Sequence, residues 1–175
     1  ERIRDLATDF GFPLVFKPSE GAGCSGLSVV SRMEDVEAAV KKLRQGSTSQ
    51  SEHFLIQRLE AGVDLSLSLL SDGKRAVPLT LNRQRVELSG PSSDSAYLGG
   101  VVPFDTQGKG ELLAVGERAV EAVGGFRGYM GVDLIMAEDR VLVVDLNPRL
   151  TTSYLGVRRV VDLNPAEAIL EAVLE

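Results

Sequence analysis

The chain has 175 residues, of which 43% are hydrophobic and 25% charged, and this near-average composition excludes a disordered chain, a coiled coil and a collagen-like fibre. Nineteen Lys and Arg against 25 Asp and Glu give a formal net charge of -6, which disfavours a nucleic-acid partner because polyanion binding needs excess positive charge. A single cysteine and a single histidine exclude an intramolecular disulfide and a zinc site of the Cys/His type, so any metal would be a hard cation with oxygen ligands.

Nothing in the sequence suggests a membrane protein. The apolar stretches, such as Leu65–Leu70, are interrupted by polar residues and are far shorter than the ~20 residues of a membrane span. The chain begins at Glu1 without a hydrophobic export segment, so a cytoplasmic protein that does not associate with membranes is expected.

The first part of the chain predicts two short strands joined by a glycine-rich loop. Residues 1–10 are typical of the end of a helix, and Phe12–Phe16 and Leu27–Val30 have the composition of strands. The loop Lys17–Gly26 between the two strands consists mostly of small residues.

A helix is expected next, from Arg32 to Arg44. Ser31 and Glu34 have the spacing of a capping box, and apolar residues follow at helical intervals. The polar residues Gly46–Glu52 then predict a mobile connection.

The centre of the chain predicts three strands. Phe54–Gln57 is a short apolar strand, and Val63–Leu70 alternates between apolar and polar residues. After a turn, Ala76–Leu81 is expected to return as a strand in which Pro78 marks an edge or a bulge. The leucines of the alternating strand should all face one side, namely Leu65, Leu67 and Leu69.

The last part of the chain predicts a lid, two helices and a hairpin. Residues 83–98 have little apolar content and predict an exposed, flexible loop of the kind that forms lids. A helix is expected over 109–123, strands over Tyr129–Met136 and Val141–Asn147, and an apolar final helix that starts at Asn164-Pro165 and packs into the core.

The two strands near the C-terminus carry acidic and amide side chains. Because side chains alternate along a strand, Asp145, Asn147 and Arg149 share one face. If Glu138–Arg140 forms the turn, Asp133 lies directly opposite Asp145. Two carboxylates at that range repel by roughly 4 kcal/mol at an effective dielectric constant near 20, so a neutralising group is expected.

A divalent cation is one group that would neutralise these acids. With the uncharged oxygen of Asn147, Asp133 and Asp145 form a set of oxygen ligands that suits magnesium. The alternative is that Arg140 or Arg149 pairs with the acids on a solvated face of the sheet, and the spacing leaves both possibilities open.

The glycine loop has the composition of a phosphate-binding loop. Its backbone N–H groups are unshielded at Gly21, Gly23 and Gly26, and Lys17 adds a positive charge at the end of the strand. A strand follows the loop and Gly-Lys-Ser/Thr is missing, so it is neither a Walker A loop nor a dinucleotide fingerprint. The alternative is an ordinary hairpin with a surface lysine.

A third group of residues, around the end of the Phe54–Gln57 strand, could read a nucleoside. Exposed backbone groups at Gln57, Arg58 and Leu59 can recognise the edge of a purine base, and the carboxylate of Asp64 can accept two ribose hydroxyls. A plain connection between two lobes is the alternative.

In this order and spacing, the three groups of residues resemble the ATP-grasp superfamily over most of the chain. The resemblance implies an α+β fold of two lobes with antiparallel sheets enclosing a nucleotide cleft. The small lobe would comprise residues 1–57 and the large lobe residues 58–175. Members normally carry a further N-terminal domain and another ATP-contacting lysine, which we expect to be absent from these 175 residues. More narrowly, Leu79–Gln84, Tyr97–Gly100 and Asn147–Ser153 resemble the branch that contains tyramine–glutamate ligases.

The resemblance also implies a role for each candidate residue. Lys17 and the loop glycines Gly21, Gly23 and Gly26 would contact the ATP phosphates. The adenine pocket would be formed by Gln57, Arg58 and Leu59, and the ribose would be bound by Asp64. Magnesium would be bound by Asp133, Asp145 and Asn147. The catalytic residues that stabilise the transferred phosphate would be Arg149 and Arg83.

The activity that the resemblance implies is ATP- and magnesium-dependent ligation of a small-molecule carboxylate to an amine through an acyl phosphate. Asp145 stands where most members have Glu, and Gly131 stands where some ligases have Arg. The alternative is a nucleotide-binding module without catalysis of its own.

Overall fold

The computed structural model describes residues 2–19, 21–46 and 53–174, which form two compact units. One unit comprises Glu1–Glu60 and Val86–Leu98, and the other comprises Ala61–Arg85 and Gly99–Glu175. The first unit contains the expected small lobe over residues 1–57, three further residues and the segment Val86–Leu98. Apart from Gly46, the predicted connection over Gly46–Glu52 lies outside the described residues.

The elements alternate between helices and antiparallel strands, which confirms the expected α+β class. Their bounds in chain order are α1 Arg2–Phe10, β1 Leu14–Pro18, β2 Ser28–Val30, α2 Val36–Gly46, β3 Phe54–Arg58, β4 Val63–Asp72, β5 Ala76–Glu87, β6 Ala96–Val101, α3 Lys109–Val123, β7 Arg127–Met136, β8 Val141–Asn147, α4 Tyr154–Val160 and α5 Pro165–Leu174. None of the helices described has the length and apolar content that crossing a membrane requires.

The first unit is built on a three-stranded antiparallel sheet in the order β2-β1-β3. Leu14 and Phe16 on β1 are fully buried, so alternate residues of this strand face the core. The helices α1 and α2 complete that core with apolar residues on one side each, so the buried cluster consists of Ala7, Leu14, Phe16, Val30, Val36, Ala39 and Leu43.

The predicted capping box at the start of the second helix is wrong. A 3-10 turn over Met33–Asp35 precedes α2, and the N-cap of this turn is Arg32, whose side chain makes no capping hydrogen bond. The backbone N–H of Asp35 instead bonds to the carbonyl of Arg32. Tight 3-10 bonds therefore replace the side-chain cap and delay the α-helix to Val36.

The second unit is built on a five-stranded sheet in the order β6-β5-β4-β7-β8. The leucines of β4 predicted to share a face are fully buried in its core, namely Leu65, Leu67 and Leu69. The helix α3 covers this face closely, since a Cβ at Gly116 would lie 2.1 Å from Cδ1 of Leu67. The β4–β5 pairing shifts at Pro78, where the predicted bulge is confirmed on an interior strand.

The expected flexible loop over 83–98 is wrong at both ends. The strand β5 continues to Glu87 and β6 begins at Ala96, so only the eight residues between them lack regular structure. In the second half of β5, exposed residues alternate with half-buried ones, so this part of the strand needs few apolar residues. The low apolar content therefore does not indicate a loop here. The remaining segment is tied to β2, because the N–H of Val29 donates to the carbonyl of Ser89.

Two features at the C-terminus differ from expectation. The helix α4 was not predicted. The helix α5 starts at Pro165 as predicted, and Asn164 Oδ1 accepts from the N–H of Ala166. However, α5 is only partly buried. One stripe of α5 packs on Gly128 of β7, and the opposite side leaves Leu170 and Leu174 exposed. An apolar sequence cannot indicate which side of a helix is covered.

Candidate functional site

The hairpin of β7 and β8, called the acid hairpin below, places two acidic side chains opposite each other. Asp133 pairs with Asp145, as the sequence predicts. The three-residue turn is wrong, however, because Met136 pairs with Val141 and the N–H of Ala137 donates to the carbonyl of Arg140 across a four-residue turn. A bulge restores the predicted register between the acids, since the pairing shifts between Leu134 and Asp133.

A chain of hydrogen bonds links the polar side chains on this face of the sheet. Gln84 Nε2 donates to Asp133 Oδ1 at 2.9 Å, and Asn147 Nδ2 donates to Asp133 Oδ2 at 3.0 Å. The guanidinium of Arg149 donates to Asn147 Oδ1 at 3.1 Å. Asp145 is exposed, and its Oδ1 accepts from the N–H of Leu146 at 3.1 Å.

The donor set fits a hard divalent cation. Asp133 and Asp145 lie on adjacent strands in direct register, so two carboxylates share one face. Asn147 contacts Asp133 through its amide nitrogen, and a turn of this amide would bring its oxygen to the same side. Arg149 donates to the Oδ1 of Asn147 and to the carbonyl of Leu150, and the alternative that Arg140 or Arg149 pairs with the acids stays open. Within 2–19, 21–46 and 53–174, no group of three or more His, Cys, Asp and Glu side chains could hold a metal. A cation bound by Asp133 and Asp145 would therefore need a further oxygen ligand, which Asn147 could supply.

Buried polar side chains continue this face of the sheet beyond the acids. The hydroxyl of Tyr129 donates to Ser68 Oγ at 2.7 Å and lies 3.1 Å from Thr151 Oγ1, and Asn82 Nδ2 donates to Ser68 at 3.1 Å. Burial raises the pKa of Tyr129, which keeps the phenol a neutral donor. The hydroxyl network therefore holds the segment after β8 against the sheet.

Asp64 lies on β4 two residues before Ser66, and Ser66 pairs with Asp133. Alternation therefore places Asp64 on the same face as the acids. Asp64 is half-buried, and burial raises the pKa of its carboxyl because desolvation disfavours the charged form.

The glycine loop lies in the first unit and has an unusual backbone. Gly23, Gly26 and Cys24 all have positive φ, of 64°, 73° and 66° respectively. The loop is closed by local bonds from the N–H of Ser25 to the carbonyl of Ala22 and from the N–H of Leu27 to Cys24. A Cβ at Gly21 or Gly23 would meet nothing within 4 Å, so a ligand can approach the backbone closely there.

Lys17 and Gln57 share the face of the small sheet that points away from its core. Lys17 pairs with Leu55, and Gln57 pairs with Val15, whereas Phe16 between Val15 and Lys17 is buried. Lys17 is half-buried at the end of β1, immediately before the glycine loop.

Two of the residues predicted to line the adenine pocket have other contacts. Arg58 Nε donates to the carbonyl of Phe10 at 3.1 Å, on the side of α1. The N–H of Leu59 donates to the carbonyl of Pro13 at 3.1 Å, so this backbone donor is engaged within the unit.

Arg83 is not brought together with the acid hairpin. It pairs with Leu65, whose side chain is buried in the core, and therefore lies on the opposite face of β5 from Gln84. Its guanidinium carbon lies 5.8 Å from the centre of the Phe104 ring.

Two residues with contacts to the predicted sites were missed by the sequence analysis. Gln84 contacts Asp133. It was missed because the predicted strand ends at Leu81, whereas β5 continues to Glu87 and places Gln84 on the same face as Asn82. Lys42 Nζ donates to the carbonyls of Leu27, at 3.3 Å, and Ser93, and lies 3.4 Å from Asp94. No local signal marks Lys42, because its partners are 15 or more residues away.

Comparison with known proteins gives a family match over most of the chain. A family model described as an ATP-grasp domain matches residues 5–153. Tyramine–L-glutamate ligase of Methanocaldococcus jannaschii is 36% identical over 107 residues, which cover 61% of this chain and 32% of the ligase. The carbamoyl phosphate synthase large chain of Deinococcus deserti is 29% identical over 163 residues, 93% of this chain and 16% of that one. The chain thus spans about a third of the length of the tyramine–glutamate ligases that it matches.

Solved structures of low sequence identity share the fold. The crystal structure of a biotin carboxylase complex with β,γ-ATP from Campylobacter jejuni superposes with a TM-score of 0.72 at 15% identity, covering 97% of this chain and 39% of that one. The biotin carboxylase domain of Hydrogenobacter thermophilus 2-oxoglutarate carboxylase, solved with MgADP, ADP and bicarbonate, gives a TM-score of 0.74 at 15% identity, covering 98% and 39%.

Proposed function

Since this chain belongs to the ATP-grasp domain family, we propose that it is the nucleotide- and magnesium-binding part of an ATP-dependent ligase that joins a carboxylate to an amine. The ATP-grasp fold that the sequence predicts is confirmed by the family match and the structural neighbours. The resemblance to tyramine–glutamate ligases is also confirmed, at 36% and 37% identity over 61% of the chain.

The acid hairpin is the observation that carries the proposal. Direct pairing of Asp133 with Asp145 places two carboxylates together, and this arrangement is costly unless a cation or another positive group neutralises them. Asp133, Asp145 and Asn147 would hold the magnesium ion, which when bound screens the negative charge of the nucleotide phosphates.

The first unit supplies groups suited to the nucleotide. The ammonium of Lys17 and the unshielded backbone at Gly21 and Gly23 would contact phosphate oxygens. Gly26 is buried, and its expected contact with phosphate stays a prediction. Gln57 shares the face of Lys17 and would line the base pocket with Arg58 and Leu59. The ribose contact expected of Asp64 stays a prediction. Because the N–H of Leu59 is bonded to Pro13, any contact from Leu59 would use its carbonyl or side chain.

The chemistry requires positioning and charge stabilisation more than covalent catalysis by the protein. An oxygen of the substrate carboxylate would attack the γ-phosphorus of ATP, and the bond from this phosphorus to the bridging β,γ-oxygen would break to release ADP. The amine would then attack the acyl carbon, release phosphate and lose a proton to solvent. Arg149, next to Asn147, would stabilise charge on the transferred phosphoryl group. A matching role for Arg83 stays a prediction, since its guanidinium lies over the ring of Phe104.

The partners expected for such an enzyme are a small-molecule carboxylate and an amine. Glutamate and tyramine are the first pair to test, because two relatives are named tyramine–glutamate ligases. The absence of nucleic-acid and membrane partners and a cytoplasmic location remain predictions from composition.

Substrate-dependent ADP release by the full-length protein, measured with MgATP and this pair, tests the proposal. In the Asp145→Ala and Asn147→Ala variants, each lost contact should cost about 2.7–4 kcal/mol, or 10²–10³ in rate, while the thermal unfolding temperature stays close to that of the wild type. Wild-type rates in both variants would contradict the metal assignment. MgATP binding without ADP release, with any carboxylate and amine tried, would favour a nucleotide-binding module instead.

A further inference from the structure

Gln84 reaches Asp133 across an intervening strand. Gln84 is on β5 and Asp133 is on β7, with β4 between them, so the two backbones are about 9–10 Å apart. The side-chain nitrogen of Gln84 nevertheless lies 2.9 Å from Asp133 Oδ1. Both groups are half-buried, so this contact is shielded from much of the solvent.

A small residue on β4 makes this reach possible. Ser66 pairs with Asn82 on one side and with Asp133 on the other, and it faces the same way as both. Ser66 has a short side chain, and Asp64 is the next residue of β4 on the same face. A large residue in place of Ser66 would stand between Gln84 and Asp133.

The two oxygens of Asp133 are held in different ways. Asp133 Oδ2 accepts from Asn147, whose amide must turn over if its oxygen is to face a cation shared with Asp133. That rotation would break the bond from Asn147 to Oδ2 and leave the bond from Gln84 to Oδ1 in place. Gln84 Nε2 is a donor only, so in this orientation it holds Asp133 and does not compete with Asp133 for a cation.

We propose that Gln84 is a positioning residue that holds Asp133 through Oδ1 and thereby directs Oδ2 to the magnesium ion. The inference rests on the proposed function. Hydrogen-bond partners of metal ligands typically change metal affinity or activity by 10–100-fold when they are removed, and the same range is expected for Gln84.

The test measures metal affinity rather than turnover. In the full-length protein, ADP is titrated calorimetrically first in the presence of EDTA and then at a series of Mg²⁺ concentrations. Gln84→Met, which keeps the length of the side chain and removes the donor, should weaken the apparent Mg²⁺ affinity 10–100-fold and leave the metal-free ADP affinity unchanged. Arg85→Met on the same strand is the matched control, because Arg85 is exposed and its side chain alternates to the other face.

The possible outcomes separate the inference from the proposed function. If Gln84→Met binds Mg²⁺ like the wild type, or if it weakens metal-free ADP binding equally, the positioning role is overturned while the ligase proposal stands. If the wild type itself shows no dependence of ADP binding on Mg²⁺, the proposed magnesium site fails, and this inference fails with it.

A double-mutant cycle keeps the inference testable if Gln84→Met folds poorly. Gln84→Asn shortens the amide by one methylene and should weaken Mg²⁺ binding in the same direction. In an Asp133→Asn background, the additional effect of Gln84→Asn should disappear, because Gln84 acts through Asp133. An undiminished effect in that background would overturn the proposal.

Discussion

Gly23 in the loop after β1 and Gly131 in the acid hairpin show two different demands on glycine. Gly23 has φ of 64°, and a Cβ there would meet nothing within 4 Å. Gly131 needs no left-handed backbone, but a Cβ there would lie 2.4 Å from Cγ2 of Thr151. The loop thus depends on backbone conformation, and the hairpin depends on close packing between a strand and the segment that follows it.

The glycine loop also depends on a side chain outside it. Lys42 of α2 donates a hydrogen bond to the carbonyl of Leu27, directly after the loop. Lys42→Met should cost about 1.5–3 kcal/mol of unfolding free energy, since it removes charged donors from the carbonyls of Leu27 and Ser93. Chemical denaturation measures this loss. The control Asp94→Asn should cost less than about 0.5 kcal/mol, because the Asp94 side chain is 96% exposed. Equal losses in the two variants would mean that the ion pair, and not the carbonyl contacts, anchors the loop.

Gly131→Ala tests the packing requirement of the hairpin. Overpacking against Thr151, whose Cγ2 would lie 2.4 Å from the added methyl, should lower the unfolding free energy by about 1–3 kcal/mol. Urea denaturation gives the change in stability. Thr151→Ser removes the clashing methyl and keeps the hydroxyl near Tyr129, so the double variant should recover most of the loss. Failure to recover would show that space at Gly131 is not the cause.

Gly23→Ala tests the backbone requirement of the loop. The left-handed conformation disfavours alanine by about 1–2 kcal/mol, partly offset by about 0.4–1 kcal/mol from the stiffer unfolded chain, so a net loss of about 1 kcal/mol is expected in the same denaturation experiment. Gly23→Asn should be milder, because asparagine tolerates this region. A loss at Asn as large as that at Ala would contradict the conformational explanation.

Asp64→Asn should have the smallest effect, and its dependence on pH is the diagnostic. Burial raises the pKa of Asp64 above its ordinary value of 3.8, so the folded state is penalised as the pH rises from 3.8 through the folded-state pKa. The variant should therefore unfold at a higher temperature than the wild type at pH 7. Thermal unfolding is followed from about pH 3 to about pH 7, which includes the range where carboxyl groups usually titrate. The difference in unfolding temperature between the variant and the wild type should vanish below the unfolded-state pKa of Asp64. A difference independent of pH would exclude desolvation as its cause.

Elements with strong local patterns could be predicted from the sequence. The helix over 109–123 and the hairpin strands ending at Met136 and Asn147 match α3, β7 and β8, because apolar residues recur at the period of each element. The pairing of Asp133 with Asp145 was predicted correctly from a wrong turn length, and the bulge beside Leu134 made up the difference. Nothing local marks such a bulge.

The long β5–β6 region was predicted poorly because its strands are polar. Arg83–Glu87 carries few apolar residues, so its strand character depends on neighbouring strands that accept and donate its backbone hydrogen bonds. The helix α4 was missed for a related reason, since its contact through Gly156 with Val102 joins segments more than 50 residues apart.

The sequence by itself determined the strongly periodic elements, such as α3, β7 and β8, the buried face of β4 and the residue types available to bind phosphate and a hard cation. Those properties follow from periodicity and composition, which act over a few neighbouring residues. Only the tertiary structure decided that Gln84 contacts Asp133, that Lys42 anchors the glycine loop and that Arg83 faces away from the acids. Such contacts depend on strand order and register, which are set by cooperative packing of segments far apart in the chain.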